Sequence, residues 1–279
     1  MKNSIKAKNL NIFNNKGFAL NKIYNMHCLE LMKNIRDNSI DLIFADPPYN
    51  LSKSKFKIKF AKSGGSDLNT NKGKWDNFSA EDYEEFTKRW TRECFRVLKT
   101  NGSIWISGTY HNIYIVGFIL QKIEFEILNE ILWHKTDATP NISCTRFVAD
   151  HENFIWARKG KHHTFNYELM KEINKGRQMR CIWPRGKTYG DKKIHPTQKP
   201  EWLLERVILA CSNKNDIVLD PFIGSGTTAV VSKKLDRYYI GSEINYKYFC
   251  LAKKRIKNIK KNDFTLFNHR GFTKNSTKD

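Results

Sequence analysis

The stretch DIVLDPFIGSGTTAVVSKKLDRYYIGSEINYKYF, residues 216–249, decides the fold. Asp216–Asp220 reads as a buried parallel strand, Gly224-Ser225-Gly226 as a tight turn, and Thr227 as the opening of a helix. A second strand, Arg237–Ile240, then runs into Gly241-Ser242-Glu243. Glycines let the backbone pass close to a ligand, and a helix N-terminus offers free N–H groups to an anionic group. An acid at the end of the next strand, here Glu243, suits the two ribose hydroxyls of a nucleoside cofactor. A dinucleotide site would carry a third glycine where this chain has Thr227-Thr228. The reading therefore moves from NAD to a nucleoside with an amino-acid tail, such as S-adenosylmethionine. Asp220, Phe222, Gly224, Ser225, Gly226, Thr227, Thr228 and Glu243 form the expected cofactor set.

Outward from that unit, short apolar runs alternate with helical patterns. KIYNMH, DLIFAD, GSIWISG, EILNEILWHK and NFIWARK read as further strands. AEDYEEFTKRWTRECFRVLK, HNIYIVGFILQKI, PEWLLERVILACS and NYKYFCLAKKRIKNI read as helices, the first capped by Ser79 with Asp82 three residues on. The expected fold is α/β and Rossmann-like, a mainly parallel twisted sheet with helices on both faces. Trp105, Trp133 and Trp156 read as packing residues of that sheet.

A second strand ends abruptly in SIDLIFADPPYNLSKSKF, residues 39–56. Two prolines cannot continue a ladder, so Asp46-Pro47-Pro48-Tyr49 is a stiff turn at a strand's carboxyl end, where open α/β sheets bind ligands. A structural turn explains the prolines but neither the carboxylate nor the ring. An exocyclic amine on a nucleobase is a poor nucleophile because its lone pair is delocalised into the ring. The Asp46 carboxylate and the Pro47 carbonyl can accept its two N–H bonds, freeing the lone pair and stabilising positive charge as it attacks a sulfonium methyl. Tyr49 can stack on a base flipped out of the duplex, and the prolines hold the geometry. Asp46, Pro47, Pro48 and Tyr49 are the expected catalytic residues, with Asp46 also beside the cofactor.

Charge points the same way. The chain of 279 residues carries 49 Lys and Arg against 28 Asp and Glu, a net +21 that favours polyanions. Two basic stretches with interleaved aromatics interrupt the alternation, residues 51–78 and 136–194. Lys53, Lys55, Lys57 and Lys74 in the first, and Arg146, Arg177, Arg180 and Arg185 in the second, are the expected DNA contacts, to base edges or to phosphates. Six scattered cysteines without a C-x-x-C pair, and no acidic partners beside His162-His163, give no metal site and suit a reducing cytoplasm. His162 and His163 are expected in solvent. No signal peptide and no bilayer-spanning run is read. A bacterial cytoplasmic protein, on the nucleoid while acting, is expected.

With these residues in view, the chain resembles the amino-group DNA methyltransferases, specifically adenine-N6 enzymes of the beta permutation class. The resemblance spans about residues 21–258 and rests on Asp46-Pro47-Pro48-Tyr49, GSIWISGTYHNIY, FNYELMK, HPTQKP and LDPFIGSGTT, with the catalytic tetrapeptide ahead of the glycine turn. It implies that His195, Pro196, Thr197, Gln198, Lys199 and Pro200 line the cofactor pocket. It also implies that Cys28 approaches the cofactor through its main chain, although Met26 and His27 stand where Gly and Asp are usual. It implies a catalytic half at 21–135 with a mobile loop at 51–78, target recognition at 136–194, a cofactor half at 195–260, and basic tails at 1–20 and 261–279. Within the class the chain is most similar to GATC-type methylases, some acting on single strands as well as duplex DNA. GANTC is the second site, since those enzymes usually carry an additional C-terminal domain. A homodimer and a companion restriction endonuclease are the implied partners. Cytosine-N4 or RNA-base methylation, and a DNA-binding module without catalysis, are the alternatives; Asp46 rather than Ser favours adenine.

Overall fold

The computed structural model describes residues 12–49, 57–58, 68–69, 78–138, 140–141, 144–186 and 198–259. In chain order the elements are β1 (Lys22–Tyr24), α1 (Cys28–Lys33), β2 (Ile40–Ala45), β3 (Lys57–Ile58), β4 (Leu68–Asn69), α2 (Ala80–Val97) and β5 (Leu98–Gly108). There follow α3 (Ile113–Lys122), β6 (Glu126–His134), β7 (His151–Arg158), α4 (Tyr167–Ile173), β8 (Ile182–Pro184) and α5 (Glu201–Cys211). The chain then forms β9 (Ile217–Asp220), α6 (Thr227–Lys234), β10 (Tyr238–Ser242) and α7 (Tyr246–Lys257).

Eight strands build one sheet in the order β1-β10-β9-β2-β5-β7-β6-β8, and β3 pairs with β4 apart from it. Strand β7 is antiparallel to both its neighbours; the other pairings in the large sheet are parallel. Strand β9 leads through α6 to β10 on one side, whereas β2 leads through α2 to β5 on the other. The two meet in register at Leu42–Val218 and Ile43–Leu219. Their carboxyl ends therefore flank a topological switch point, where an open α/β sheet leaves a crevice for ligands.

The apolar run in β2 is continuous because both faces of the sheet are covered. Ile43 and Ala45 join a core with Leu31, Trp90 and Val116 from α1, α2 and α3. Leu42 and Phe44 face the opposite core, with Met170, Trp202 and Val231 from α4, α5 and α6. Trp105 and Trp156 stack across β5 and β7 with ring centroids 5.4 Å apart, and Trp133 is buried beside them. Ser79 caps α2, accepting the Asp82 N–H at 3.0 Å. The helix ends at Val97 rather than continuing through Leu98-Lys99, because Leu98 already pairs with Ile40 in the sheet.

Several expectations change. The N-terminal tail is not free of the body beyond residue 11: Ile12 and Phe13 are buried, and Phe13 bridges to Ile35. Part of the central stretch 136–194 is framework, since β7 and β8 belong to the common sheet. His163 is not in solvent: it is half-buried, edge-on to Trp156 at 5.1 Å and 3.1 Å from Arg158 Nη1, while His162 is exposed. Most of 51–78, the tail 261–279 and His195, Pro196 and Thr197 lie outside the described residues. Among the described residues no helix is long and apolar enough to cross a membrane.

Candidate active site

Strand β2 delivers Asp46 to the carboxyl edge, and the prolines turn the chain so that Tyr49 folds back on it. The Tyr49 hydroxyl donates to Asp46 Oδ1 at 2.6 Å and lies 3.0 Å from Ser107 Oγ. Ser107, near the end of β5, donates its hydroxyl to the same Oδ1. Lys199, just before α5, donates to Asp46 Oδ1 at 2.8 Å and Oδ2 at 2.7 Å, and its ammonium lies 3.0 Å from the Tyr49 oxygen. The turn is braced from outside: the Tyr83 hydroxyl donates to the Pro48 carbonyl at 3.0 Å and accepts from Asn112 Nδ2 at 3.0 Å.

Lys199 also reaches Glu152 Oε2 at 3.3 Å, and Lys135 pairs with Glu152 Oε1. A chain of alternating charges, Lys135–Glu152–Lys199–Asp46, thus enters the site from β7. Burial alone would raise the Glu152 carboxyl, but Lys199 and Lys135 outweigh it and hold the group at about 2. Burial likewise disfavours the Lys199 ammonium, yet Asp46 and Glu152 keep it well above the usual lysine range. Burial and the Asp46 charge push Tyr49 well above the usual phenol range, so it remains a donor.

Across the switch point, Gly224 (φ +51°) and Gly226 (φ +85°) form the turn before α6. A Cβ on Gly226 would lie 2.8 Å from the Ala252 Cβ, so only glycine lets the turn sit against α7. The hydroxyls of this turn face inward. Thr228 donates to Asp220 Oδ2, and Arg255 Nη1 donates to the Ser225 carbonyl (2.8 Å), Ser225 Oγ (3.1 Å) and Thr227 Oγ1 (3.2 Å). Phe222 sets its ring edge-on to Trp90 at 5.3 Å. Glu243 follows β10, its carboxylate accepting the Asn245 N–H at 2.7 Å. Its carboxyl is raised by burial, against the pull of the Asn245 and Gly224 N–H groups. Cys28 opens α1 after β1, and burial pushes its thiol to about 12, which leaves its backbone as the useful part. Asn25 ties the two strand ends together, donating to the Glu243 carbonyl at 2.7 Å.

Asp220 accepts the Phe222 N–H at 2.9 Å, and burial raises its carboxyl to about 7. Below about pH 4 both the folded and the unfolded forms are protonated. As pH rises the unfolded chain ionises first, so the stability this group supplies is lost toward pH 7 and remains lost above it. Asp220→Asn is therefore expected to raise the melting temperature at pH 8 by about 3–8 °C, with the gap closing toward pH 4. Thermal scans across that range check the sign.

Of the expected DNA contacts, Lys53, Lys55 and Lys74 fall outside the described residues, and for Lys57 only the backbone in β3 is described. Arg146 is exposed at the carboxyl edge, donating to the Tyr110 hydroxyl at 3.3 Å next to the fully exposed Phe147. Arg177 and Arg180 are exposed on the approach to β8. Arg185 is half-buried with its guanidinium 5.0 Å over the Trp202 ring, so it packs as well as charges this edge. Gln198 and Pro200 flank Lys199, with Pro200 as the cap residue of α5. Sequence reasoning missed Ser107, Tyr83, Asn112 and Glu152. The signal for Ser107 was a hydroxyl at a strand's carboxyl end; for Glu152 it was an acid at the start of an otherwise apolar run.

Residues 40–254 match the N6_N4_Mtase family model, described as DNA methylase. The chain is 47% identical to Type II methyltransferase M2.LlaDCHI of Lactococcus lactis subsp. cremoris over 81% of its length and 86% of the relative's. It is 44% identical to Type II methyltransferase M.HinfI of Haemophilus influenzae over 87% of its length and 70% of that protein's. Among solved structures, M1.HpyAVI in its SAM complex superposes with a TM-score of 0.64 at 28% identity, covering 85% of this chain and 99% of the other.

Proposed function

We propose, from the premise that this chain belongs to the N6/N4 DNA methylase family, that it methylates N6 of an adenine flipped out of DNA at one short site. The observation that carries the reading is Asp46 at the carboxyl end of β2, facing the glycine turn that follows β9 across the switch point. S-adenosylmethionine is the methyl donor, supplying a methyl on a sulfonium. The residues fit it: Gly224 leaves an open cradle, where an added Cβ would meet, among the described residues, only the Phe222 carbonyl oxygen at 3.9 Å, and Glu243 presents a carboxylate at the strand end for the ribose hydroxyls. Cys28, Gly224–Gly226, Asp220 and Glu243 hold the nucleoside, with Thr227 and Thr228 shaping the turn from behind.

Asp46 and the Pro47 carbonyl accept the two N6–H bonds, and Tyr49 stacks on the base. The amine lone pair forms the new N–C bond as the S–C bond breaks, sulfur keeping that electron pair, and one N6 proton then leaves to Asp46 or water. Asp46 stands where the cytosine-N4 enzymes usually carry Ser, and that resemblance is what favours adenine over cytosine. Residues 136–194 supply target recognition, with Arg146, Arg177 and Arg180 on the DNA, and GATC is the first site to test. A homodimer and a companion endonuclease belong to the same reading. The exposed Tyr114 and Phe118 of α3 support the first, and the Type II names of the relatives support the second.

The test is transfer of a labelled methyl from S-adenosylmethionine to unmethylated genomic DNA, with nucleoside mass spectrometry and mapping of the modified sites. N6-methyladenine at one short motif is expected. N4-methylcytosine would overturn the base assignment, and methylation of RNA alone would overturn the substrate.

A further inference from the structure

The resting site poses a problem of valence. Asp46 Oδ1 faces Tyr49, Ser107 and Lys199, and Oδ2 receives Lys199 at 2.7 Å. Oδ1 is filled by three donors, so an incoming amine meets Asp46 at Oδ2, where Lys199 competes with it. Lys199 is the donor that bridges both oxygens, and it is 8% exposed. An ammonium buried to that degree cannot simply be released, because a stranded charge in the interior is costly.

Glu152 solves this. It stands on β7, Lys135 holds its Oε1, and its Oε2 lies 3.3 Å from Lys199 Nζ. That distance is an ion pair rather than a well-directed hydrogen bond, and among the described residues Oε2 is a buried carboxylate oxygen with no hydrogen-bond partner. A carboxylate fixed at one oxygen thus keeps a vacant acceptor beside the cation that must move. We propose that Glu152 is a positioning residue that receives Lys199 when Asp46 turns to the substrate amine. A small rotation at the end of the lysine side chain closes the contact with Glu152 and opens Asp46 Oδ2. Two carboxylates and two ammonium groups are present before and after, so the exchange carries no net charge into or out of the site. This inference rests on the reading of Asp46 as acceptor for the amine.

The test uses the full chain and the mapped target. In Glu152→Gln an amide N–H₂ can face Lys199, which then stays on Asp46. The turnover rate is expected to fall roughly 30- to 100-fold, with dissociation constants for S-adenosylmethionine and DNA within about threefold of wild type. Glu152→Asp, which keeps the charge, recovers part of the loss. In a Lys199→Met background the same Glu152→Gln change should cost nothing further, since there is no cation to receive. Turnover of Glu152→Gln within twofold of wild type, or an equal loss in both backgrounds, overturns the proposal. Should the variants misfold, a structure of the wild-type chain with S-adenosylhomocysteine and a target duplex decides. Lys199 hydrogen-bonded to Glu152 Oε2 and off Asp46 Oδ2 is expected; Lys199 still bridging both Asp46 oxygens overturns it. Wild type transferring no methyl to DNA would instead sink the reading of the function itself.

Discussion

Replacing Asp46 with alanine is expected to lower methyl transfer at least about 10³-fold while S-adenosylmethionine affinity changes by less than about fivefold. On the proposed mechanism the carboxylate accepts from the amine and balances charge developing on nitrogen, so its loss falls on the transition state. The proposed cofactor cradle lies elsewhere, at the turn after β9 and at Glu243, and should survive. Removing Asp46 also leaves Lys199 with Glu152 as its remaining carboxylate partner, an exchange the neighbouring charges tolerate. Single-turnover transfer and calorimetric titration of the cofactor separate the two effects. Equal loss of both would make Asp46 a structural residue.

Gly226→Ala is expected to have the largest effect on stability, roughly 2–5 kcal/mol, from left-handed backbone strain plus overpacking. The residue sits at φ +85°, and the new Cβ would meet the Ala252 Cβ at 2.8 Å and its Cα at 3.2 Å. Those atoms belong to α7 and cannot rotate away. Relief requires α6 to separate from α7, which also shifts the turn proposed to hold the nucleoside. The melting temperature should fall by about 5–15 °C, and cofactor affinity at least tenfold, read by thermal unfolding and titration. A stable variant with unaltered affinity would mean that the turn does not hold the ligand.

The two halves of the site differed in how well the sequence foretold them. β2, β9 and β10 were legible because strands covered on both faces are short continuous apolar runs. Asp46 and Glu243 were legible because ligand groups collect at the carboxyl ends of such strands. Ser79 announced α2 through its spacing to Asp82. The network around Asp46 was not legible in this way. Ser107 lies 61 residues from it and Lys199 lies 153 residues away, and no period or local motif links them. The resemblance did single out Lys199, but for the cofactor pocket; its contact with Asp46 emerges from the packing of α5 against the sheet. α1, α4 and β8 escaped notice because six, seven and three residues are too few for a period to show. Ile12 and Phe13 were masked by the surrounding Lys and Asn, although two adjacent apolar residues were there to be read.

Strand β7 runs against its neighbours, so the chain leaves β6 and re-enters β7 at the same edge of the sheet. His134 pairs with His151 there, and the connection between them lies at the carboxyl edge of the sheet. A parallel connection would have carried the chain to the far edge and back. A hairpin needs only its two end residues kept in place. Evolution can therefore lengthen, shorten or exchange this loop without shifting a single rung of the ladder beneath it. Chains with the same framework can in this way differ in this connection while their sheets stay superposable.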